Sequence, residues 1–160
     1  MDATTPKGRE ALAHADRALR TVESKTGTDF LKFEETVASK VDGVICRDGI
    51  IVAFYEVKSR KCSSEEMRTR FENRWLLSYD KLQYAYSLTS YLKVPFVGVL
   101  HCQVDDVVMV KKFWDKDGKL LSRWYVDGTW TQMTVNGGQI ERANAYIEMT
   151  GAIQYAITDP

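Results

Sequence analysis

Three charged residues, Asp42, Glu56 and Lys58, interrupt two otherwise apolar segments, and their types and spacing suit chemistry. Side chains on a β-strand alternate between its faces, so Glu56 and Lys58 project from the same face. A hairpin that turns at Asp48-Gly49 brings Asp42 back opposite residues 55 to 56. A tight two-residue turn pairs Asp42 with Tyr55 and sends its side chain to the wrong face, whereas a three-residue loop or a bulge pairs it with Glu56.

Two carboxylates on a rigid sheet edge suit Mg²⁺ or Mn²⁺, which prefer hard oxygen ligands and keep waters that a substrate phosphate can replace. Such an ion polarises a phosphodiester and lowers the pKa of bound water, while a neighbouring lysine orients that water or stabilises charge on the phosphate oxygens. The three residues therefore predict metal-assisted phosphodiester hydrolysis. The alternative is a surface salt-bridge cluster, which contributes little stability. The nuclease interpretation is favoured because the charges interrupt apolar strands.

The segments around these residues predict an α/β or α+β fold. Apolar residues at helical spacing predict a first helix over about 7–25. Strands are predicted over 28–36, 41–46 and 50–57, and Asp48-Gly49 joins the last two as a hairpin. A capping-box pattern at Ser63 and apolar residues four apart, among them Met67, Phe71 and Trp75, predict a second helix that resumes through Leu92. A buried strand over 96–101 completes the order α, β, β, β, α, β.

Turn signals divide the C-terminal third into short antiparallel strands. Asp117-Gly118, Asp127-Gly128 and Asn136-Gly137-Gly138 separate apolar runs at 107–114, 120–126 and 130–135. A short final helix or strand is predicted over 142–157. This tail is expected to extend the same sheet or to pack beside it.

Over about residues 7 to 101 the sequence resembles the PD-(D/E)XK nuclease superfamily. Two segments are similar to small phage-encoded members, and they are Leu76-Leu77-Ser78-Tyr79-Asp80-Lys81 and Thr134-Val135-Asn136-Gly137-Gly138. The resemblance centres on Val41-Asp42-Gly43-Val44-Ile45 and Phe54-Tyr55-Glu56-Val57-Lys58-Ser59-Arg60, with Val41 in place of the proline that names the motif. It implies a restriction-endonuclease-like αβββαβ core over about 7–102, and the turn signals described above predict an antiparallel, β-rich C-terminal extension over about 105–160. It also implies that Asp42, Glu56 and the Val57 backbone carbonyl bind a divalent metal, that Lys58 is the catalytic lysine, and that DNA is the substrate.

Members of this superfamily often draw a further metal-binding acid from the first helix, and Glu10 and Glu23 are both candidates. Glu10 better suits the usual long separation from the motif aspartate, but Glu23 borders the apolar stripe of the helix and is slightly favoured. On the crossover helix, Lys81 falls on the apolar face, and an inward lysine needs a partner. Lys81 is therefore predicted to contact phosphate or carboxylate. Gln83, which resembles a glutamine common in exonuclease branches, falls on another face.

A basic run that includes Arg60 and Lys61 offers phosphate contacts, and these two residues together with Lys81 are the predicted nucleic-acid-binding residues. Acidic residues interleave with the run, so a solvated helix face is an equal alternative. The tryptophans of the C-terminal third are predicted to be core or cross-strand residues rather than base-stacking platforms, and they are Trp114, Trp124 and Trp130.

Composition bounds the class of protein. The chain has 160 residues, 44% of them hydrophobic and 28% charged, which predicts one globular domain over residues 1–160 and excludes a disordered chain. Lys plus Arg (22) equal Asp plus Glu (22), which excludes a uniformly basic binder but not a local basic groove. Three scattered cysteines and no pattern typical of a secretory signal or membrane span predict a cytoplasmic protein, in the host cytoplasm if a phage encodes it.

Together these patterns predict a Mg²⁺- or Mn²⁺-dependent deoxyribonuclease of phage or bacterial DNA processing. A monomer suits nicking or end resection, and a homodimer suits double-strand or junction cutting. The second hypothesis is a nucleic-acid-binding or phage accessory protein that keeps the nuclease scaffold without turnover. It predicts salt-sensitive binding without metal-dependent hydrolysis.

Overall fold

The computed structural model describes residues 5–34, 39–131 and 140–158, and these form three helices and nine strands. The helices are α1 (Pro6–Thr26), α2 (Ser64–Thr69) and α3 (Tyr79–Leu92). The strands are β1 (Asp29–Lys32), β2 (Gly43–Arg47), β3 (Ile50–Arg60), β4 (Arg74–Ser78), β5 (Phe96–Cys102), β6 (Val107–Trp114), β7 (Trp124–Thr131), β8 (Ile140–Glu148) and β9 (Ile153–Ala156).

The main sheet has six strands in the order β1-β2-β3-β5-β6-β9. β3 and β5 are parallel, whereas every other neighbouring pair in this sheet is antiparallel. A parallel pair needs a crossover connection, and here α2, β4 and α3 supply it. The predicted fold class is confirmed: the chain is a mixed α/β protein consistent with a restriction-endonuclease-like fold. The assignment of residues 1–160 to one domain stays a prediction.

The β2–β3 hairpin closes with a two-residue turn at Asp48-Gly49, as predicted. Arg47 pairs with Ile50 across the turn, and both turn residues have positive φ, 51° at Asp48 and 74° at Gly49. Positive φ at both central positions is the type I′ geometry, whose twist matches that of the flanking strands. Glycine at the second position adopts this conformation without a steric penalty.

A β-bulge changes the register a few residues beyond the turn. Ile45 pairs with Ala53, but the next residue, Cys46, pairs with Ile51, so Val52 is the extra residue. The structure therefore has both a tight turn and a bulge. Because a one-residue shift moves every following side chain to the other face, the bulge decides which residue of β3 lies opposite Asp42.

Helices α1 and α3 cover opposite faces of the main sheet. One apolar cluster joins α1 to the sheet, and its buried members are Ala18, Leu19, Val22, Phe30, Ile45, Ala53, Tyr55, Val97, Val99 and Val108. The other joins α3 and the strands around it to the opposite face, and it includes Val44, Phe54, Trp75, Leu77, Leu82, Ala85, Phe96, Leu100, Phe113 and Ile147. Since Phe54 faces α3, Glu56 and Lys58 do so too.

The predicted helix through Phe71 and Trp75 is wrong. The capping box at Ser63 is present, but α2 ends at Thr69, and Trp75 lies in β4. β4 pairs with β8, and β8 with β7, in a second sheet of three strands. A spacing of four residues also fits a strand, on which alternate residues share a face, and the partner strand that decides between them is remote in sequence.

The turn predicted at Asp127-Gly128 is also wrong, because β7 runs through both residues. The predicted strand over 120–126 is reduced to a single bridge between Leu120 and Trp114 before β7 begins at Trp124. Most of the predicted strand over 130–135 lies outside the described residues. The predicted turn at Asn136-Gly137-Gly138 lies wholly outside them. The final segment forms two strands, of which β8 joins the second sheet and β9 extends the main one.

Within the described ranges, no helix combines the length and the apolar character that crossing a membrane requires.

Gly98 of β5 lies beside Glu56 in the register, and a Cβ built there falls on the rings of Trp75 and Phe113. We expect Gly98→Ala to lower the free energy of unfolding by about 1–3 kcal/mol, because the two buried rings cannot move without strain. Urea denaturation measures the loss. The matched control is Gly128→Ala in β7, whose new methyl meets only the mobile carboxylate of Glu141. Equal stability of the two variants would contradict this packing.

Candidate active site

Asp42 and Glu56 face each other across the start of β2. Gly43 pairs with Tyr55, and the N–H of Asp42 donates to the carbonyl of Tyr55 at 3.0 Å, which sets Asp42 opposite Glu56. The bulge alternative predicted from the sequence is therefore the one observed. The N–H of Val57 donates to Oδ2 of Asp42 at 2.8 Å. This bond orients the carboxylate, and it leaves Oδ1 to accept from Nζ of Lys81 at 3.5 Å.

Lys81, in the first turn of α3, places its ammonium between the two carboxylates. Nζ donates to Oε1 and Oε2 of Glu56 at 2.7 and 2.9 Å and to Oδ1 of Asp42 at 3.5 Å. The prediction that Lys81 contacts a carboxylate or a phosphate agrees with this geometry. The contact is to carboxylates, and it marks one point in space where both acids meet a cation.

Burial dominates the electrostatics of Glu56, which is 2% exposed. Burial and the nearby charge of Asp42 raise the pKa of Glu56 to about 7, although the ammonium groups of Lys81 and Lys58 oppose the shift. A buried carboxylate is costly without a positive partner. Glu56 therefore depends on the cations around it to remain ionised at neutral pH.

The two lysines respond differently to this environment. Burial lowers the pKa of Lys58, and the attraction of Glu56 only partly opposes it. Burial also acts to lower the pKa of Lys81, but the carboxylates of Glu56 and Asp42 outweigh it and the net pKa is raised. Lys81 is thus the lysine that holds its proton more tightly, while Lys58 is the lysine that releases a proton more easily.

The donor set fits a hard divalent cation. Asp42 and Glu56 supply oxygens around a position that a cationic group, the Lys81 ammonium, already reaches. The carbonyl of Val57 lies on the same edge of β3 as its N–H, which bonds to Asp42, so it points to the same side. Across 5–34, 39–131 and 140–158, no cluster of three or more His, Cys, Asp or Glu side chains is arranged for a metal. Mg²⁺ is commonly held by one or two carboxylates together with waters.

The structure does not bring Glu23 to this site. Its Oε1 accepts the N–H of Phe30 at 2.7 Å, and α1 packs on the face of the sheet opposite Glu56. Glu10, the other candidate, is exposed and lies 3.9 Å from His14. The geometry therefore gives no support to Glu23 as a metal ligand. The helical pattern predicted that Glu23 faces the sheet, but α1 covers the face of the sheet opposite the one that carries Glu56.

Of the predicted DNA-binding residues, Arg60 and Lys61 lie at and just beyond the end of β3, and Lys81 lies on α3. Arg60 ends β3 and follows Glu56 and Lys58 on the same face at a spacing of two, and Arg60 and Lys61 are both exposed. Gln83 is exposed on α3, and its amide donates to the hydroxyl of Tyr79 rather than to the carboxylates.

An ion pair of Lys40 with Asp80 lies beside the site, and the sequence analysis did not predict it. Nζ of Lys40 donates to Oδ2 of Asp80 at 3.0 Å, linking the segment before Asp42 to the first turn of α3. Lys40 is the main cause that lowers the pKa of Asp80. The pairing depends on tertiary structure, and no local spacing indicates it.

The tryptophans support the core interpretation where they are described. Trp114 is buried and packs against Phe96 and Tyr86, while Trp124 is half-buried beside Tyr79. The side chain of Trp130 lies outside the described part of the structure.

The model of a family described as "Phage putative PDDEXK endonuclease" matches residues 11–143, more than half of the 160. The chain belongs to this family. Its match spans Asp42, Glu56, Lys58 and Lys81, and the description agrees with the resemblance found in the sequence. No curated protein and no solved structure gives a significant match. The PDDEXK family name implies nuclease activity.

Removing the Lys81 ammonium from this PDDEXK protein should leave the negative charges of Asp42 and Glu56 without the cation that contacts both. We expect Lys81→Met to lower the free energy of unfolding in chelator by about 1–3 kcal/mol, because Glu56 is then buried without its main partner. The double variant Lys81→Met/Glu56→Gln should recover most of the loss, since a neutral amide needs no counter-charge. Urea denaturation of the four proteins of the cycle gives the coupling. Additive effects of the two substitutions would contradict the ion pair.

Proposed function

We propose that this family member is a DNA endonuclease that uses Mg²⁺ or Mn²⁺ to hydrolyse phosphodiester bonds. One observation carries the proposal: the carboxylates of Asp42 and Glu56 converge on a single cation position. The Lys81 ammonium occupies it, 3.5 Å from Oδ1 of Asp42 and 2.7 Å from Oε1 of Glu56. The family description supports endonuclease chemistry. The choice of metal and of DNA rests on the hard oxygen donors and on the basic residues beside them.

Asp42, Glu56 and the carbonyl of Val57 would hold the ion, which when bound supplies charge stabilisation at the phosphate and activation of water. The backbone contributes directly to this arrangement. The Val57 N–H fixes Asp42 at 2.8 Å, so the carboxylate is oriented before the ion arrives. A preoriented ligand loses less freedom on binding, which favours binding of the ion.

Lys58 would act at the attacking water. It projects to the same face as Glu56, two residues further along β3, and burial lowers its pKa. A lysine whose proton is held less tightly is suited to orient water or to exchange a proton with it, and in its charged form it stabilises negative charge on the phosphate.

Arg60, Lys61 and Lys81 would bind the DNA backbone. Arg60 continues the row of Glu56 and Lys58, so a strand that presents its phosphate at the metal runs past the exposed Arg60 and Lys61. The proposed setting is the cytoplasm, of the host cell if the gene is a phage gene. A monomer would nick one strand, and a homodimer would bring two such sites to a duplex.

Lys58→Ala should abolish cleavage without unfolding the protein. We expect a rate loss of at least about 100-fold with Mg²⁺ or Mn²⁺, because the water loses its orienting group while both carboxylates remain. A gel assay on single-stranded, duplex and branched DNA, with each metal and with chelator, measures the rates. Lys116→Ala, at an exposed lysine of the β6–β7 connection, is the control.

Cleavage that persists unchanged in Lys58→Ala would refute the role of Lys58. Absence of metal-dependent cleavage from the wild type on all three substrates, together with retained DNA binding, would instead support the accessory-protein hypothesis.

Arg60→Ala and Lys61→Ala should each weaken DNA binding, and the loss should be almost the same whatever the sequence of the DNA. Each should reduce the slope of log K against log salt concentration by about 1, because each removes one phosphate contact. Fluorescence anisotropy in chelator measures binding without cleavage. Arg47→Ala, at the exposed hairpin end of β2, removes the same charge and should leave the slope unchanged. An equal fall in slope for Arg47→Ala would contradict a localised DNA surface.

A further inference from the structure

Lys81 reaches the same oxygens that a metal ion needs. Its ammonium contacts both Oε atoms of Glu56 and, at 3.5 Å, Oδ1 of Asp42, and its side chain is 25% exposed against 3% for Glu56. A Mg²⁺ ion bound by these carboxylates would sit about 2.0–2.1 Å from their oxygens. An ammonium and a divalent ion at such a spacing repel strongly in a partly buried site. The two cations therefore cannot share the position.

The fold holds Lys81 there rather than leaving it to chance. Its helix, α3, is anchored by the buried side chains of Leu82, Ala85 and Thr89. The tether is the four-carbon side chain alone, so the ammonium can swing away while the helix stays in place. The exposed quarter of the side chain gives it a path towards solvent.

We propose that Lys81 is a tethered counter-ion that competes with the divalent metal for Asp42 and Glu56. This inference rests on the proposed function, since it assumes that these acids bind a metal. In the metal-free protein Lys81 balances the charge of the two carboxylates. When the ion binds, the ammonium is displaced and becomes available to a DNA phosphate.

The exchange couples metal binding to DNA binding. A phosphate that captures the displaced ammonium prevents its return, and so it raises the affinity for the metal. By linkage, the metal raises the affinity for DNA by the same factor. Lys81 thus keeps the metal weakly bound until a substrate is present.

The test is Mn²⁺ affinity, measured without DNA by calorimetry and by electron paramagnetic resonance at about pH 8. We expect Lys81→Met to bind Mn²⁺ at least about tenfold more tightly than the wild type, because the ion no longer has to break a charge-assisted pair. The matched control is Lys40→Met. It removes one positive charge near the site, but this lysine pairs with Asp80 and not with Asp42 or Glu56. Its affinity should change by less than about threefold.

An unchanged or weaker affinity in Lys81→Met, with a wild type that does bind Mn²⁺, would overturn the inference and leave the proposed function standing. Asp42→Asn should not bind Mn²⁺. A wild type that likewise binds no Mn²⁺ would overturn the proposed function itself. A purely structural Lys81 predicts lower thermal stability with no gain in affinity.

A second measurement uses the wild type and does not depend on the folding of any variant. A lysine-specific acylating reagent, followed by peptide mass spectrometry, reports the accessibility of each ammonium. Labelling of Lys81 should increase severalfold when saturating Mg²⁺ replaces chelator, while that of the exposed Lys116 should not change. Equal or lower labelling of Lys81 with bound metal would contradict its displacement.

Discussion

Two carboxylates held side by side on one face of the main sheet, one of them buried, are the constraint on which this structure depends. Glu56 is 2% exposed and Asp42 lies directly across from it, so the pair is unfavourable unless a cation lies between them. The apo protein meets this requirement with Lys81. The proposed enzyme would meet it with a metal ion, and the same electrostatic demand explains both states.

Elements far from the acids are needed to build this pair. The bulge at Val52 shifts the register so that Asp42 faces Glu56 rather than Tyr55. The parallel pairing of β3 with β5 requires the crossover that carries Lys81 across the same face. Gly98, beside Glu56, lets the rings of Trp75 and Phe113 pack close to the site. The residues that set the register and packing of the main sheet therefore also position the two acids.

The parts that local sequence specifies were predictable, whereas those set by distant partners were not. The turn at Asp48-Gly49, the capping box at Ser63 and the strand period that places Glu56 with Lys58 are local signals, and all three are present. Trp75 was assigned to a helix because its strand partner, Ile147, lies 72 residues away. The ion pair of Lys40 with Asp80 has no local signal either. The hairpin register needed the structure to choose between alternatives that the sequence left open.

The most direct test of the account is anomalous diffraction from crystals soaked in Mn²⁺ and from crystals kept in chelator. The account predicts a single strong manganese peak within about 2.5 Å of carboxylate oxygens of both Asp42 and Glu56, with the Lys81 ammonium moved away from Glu56 relative to the chelator crystals. A protein with no peak between these two acids, or with Lys81 still bonded to Glu56 while the ion lies elsewhere, would contradict it.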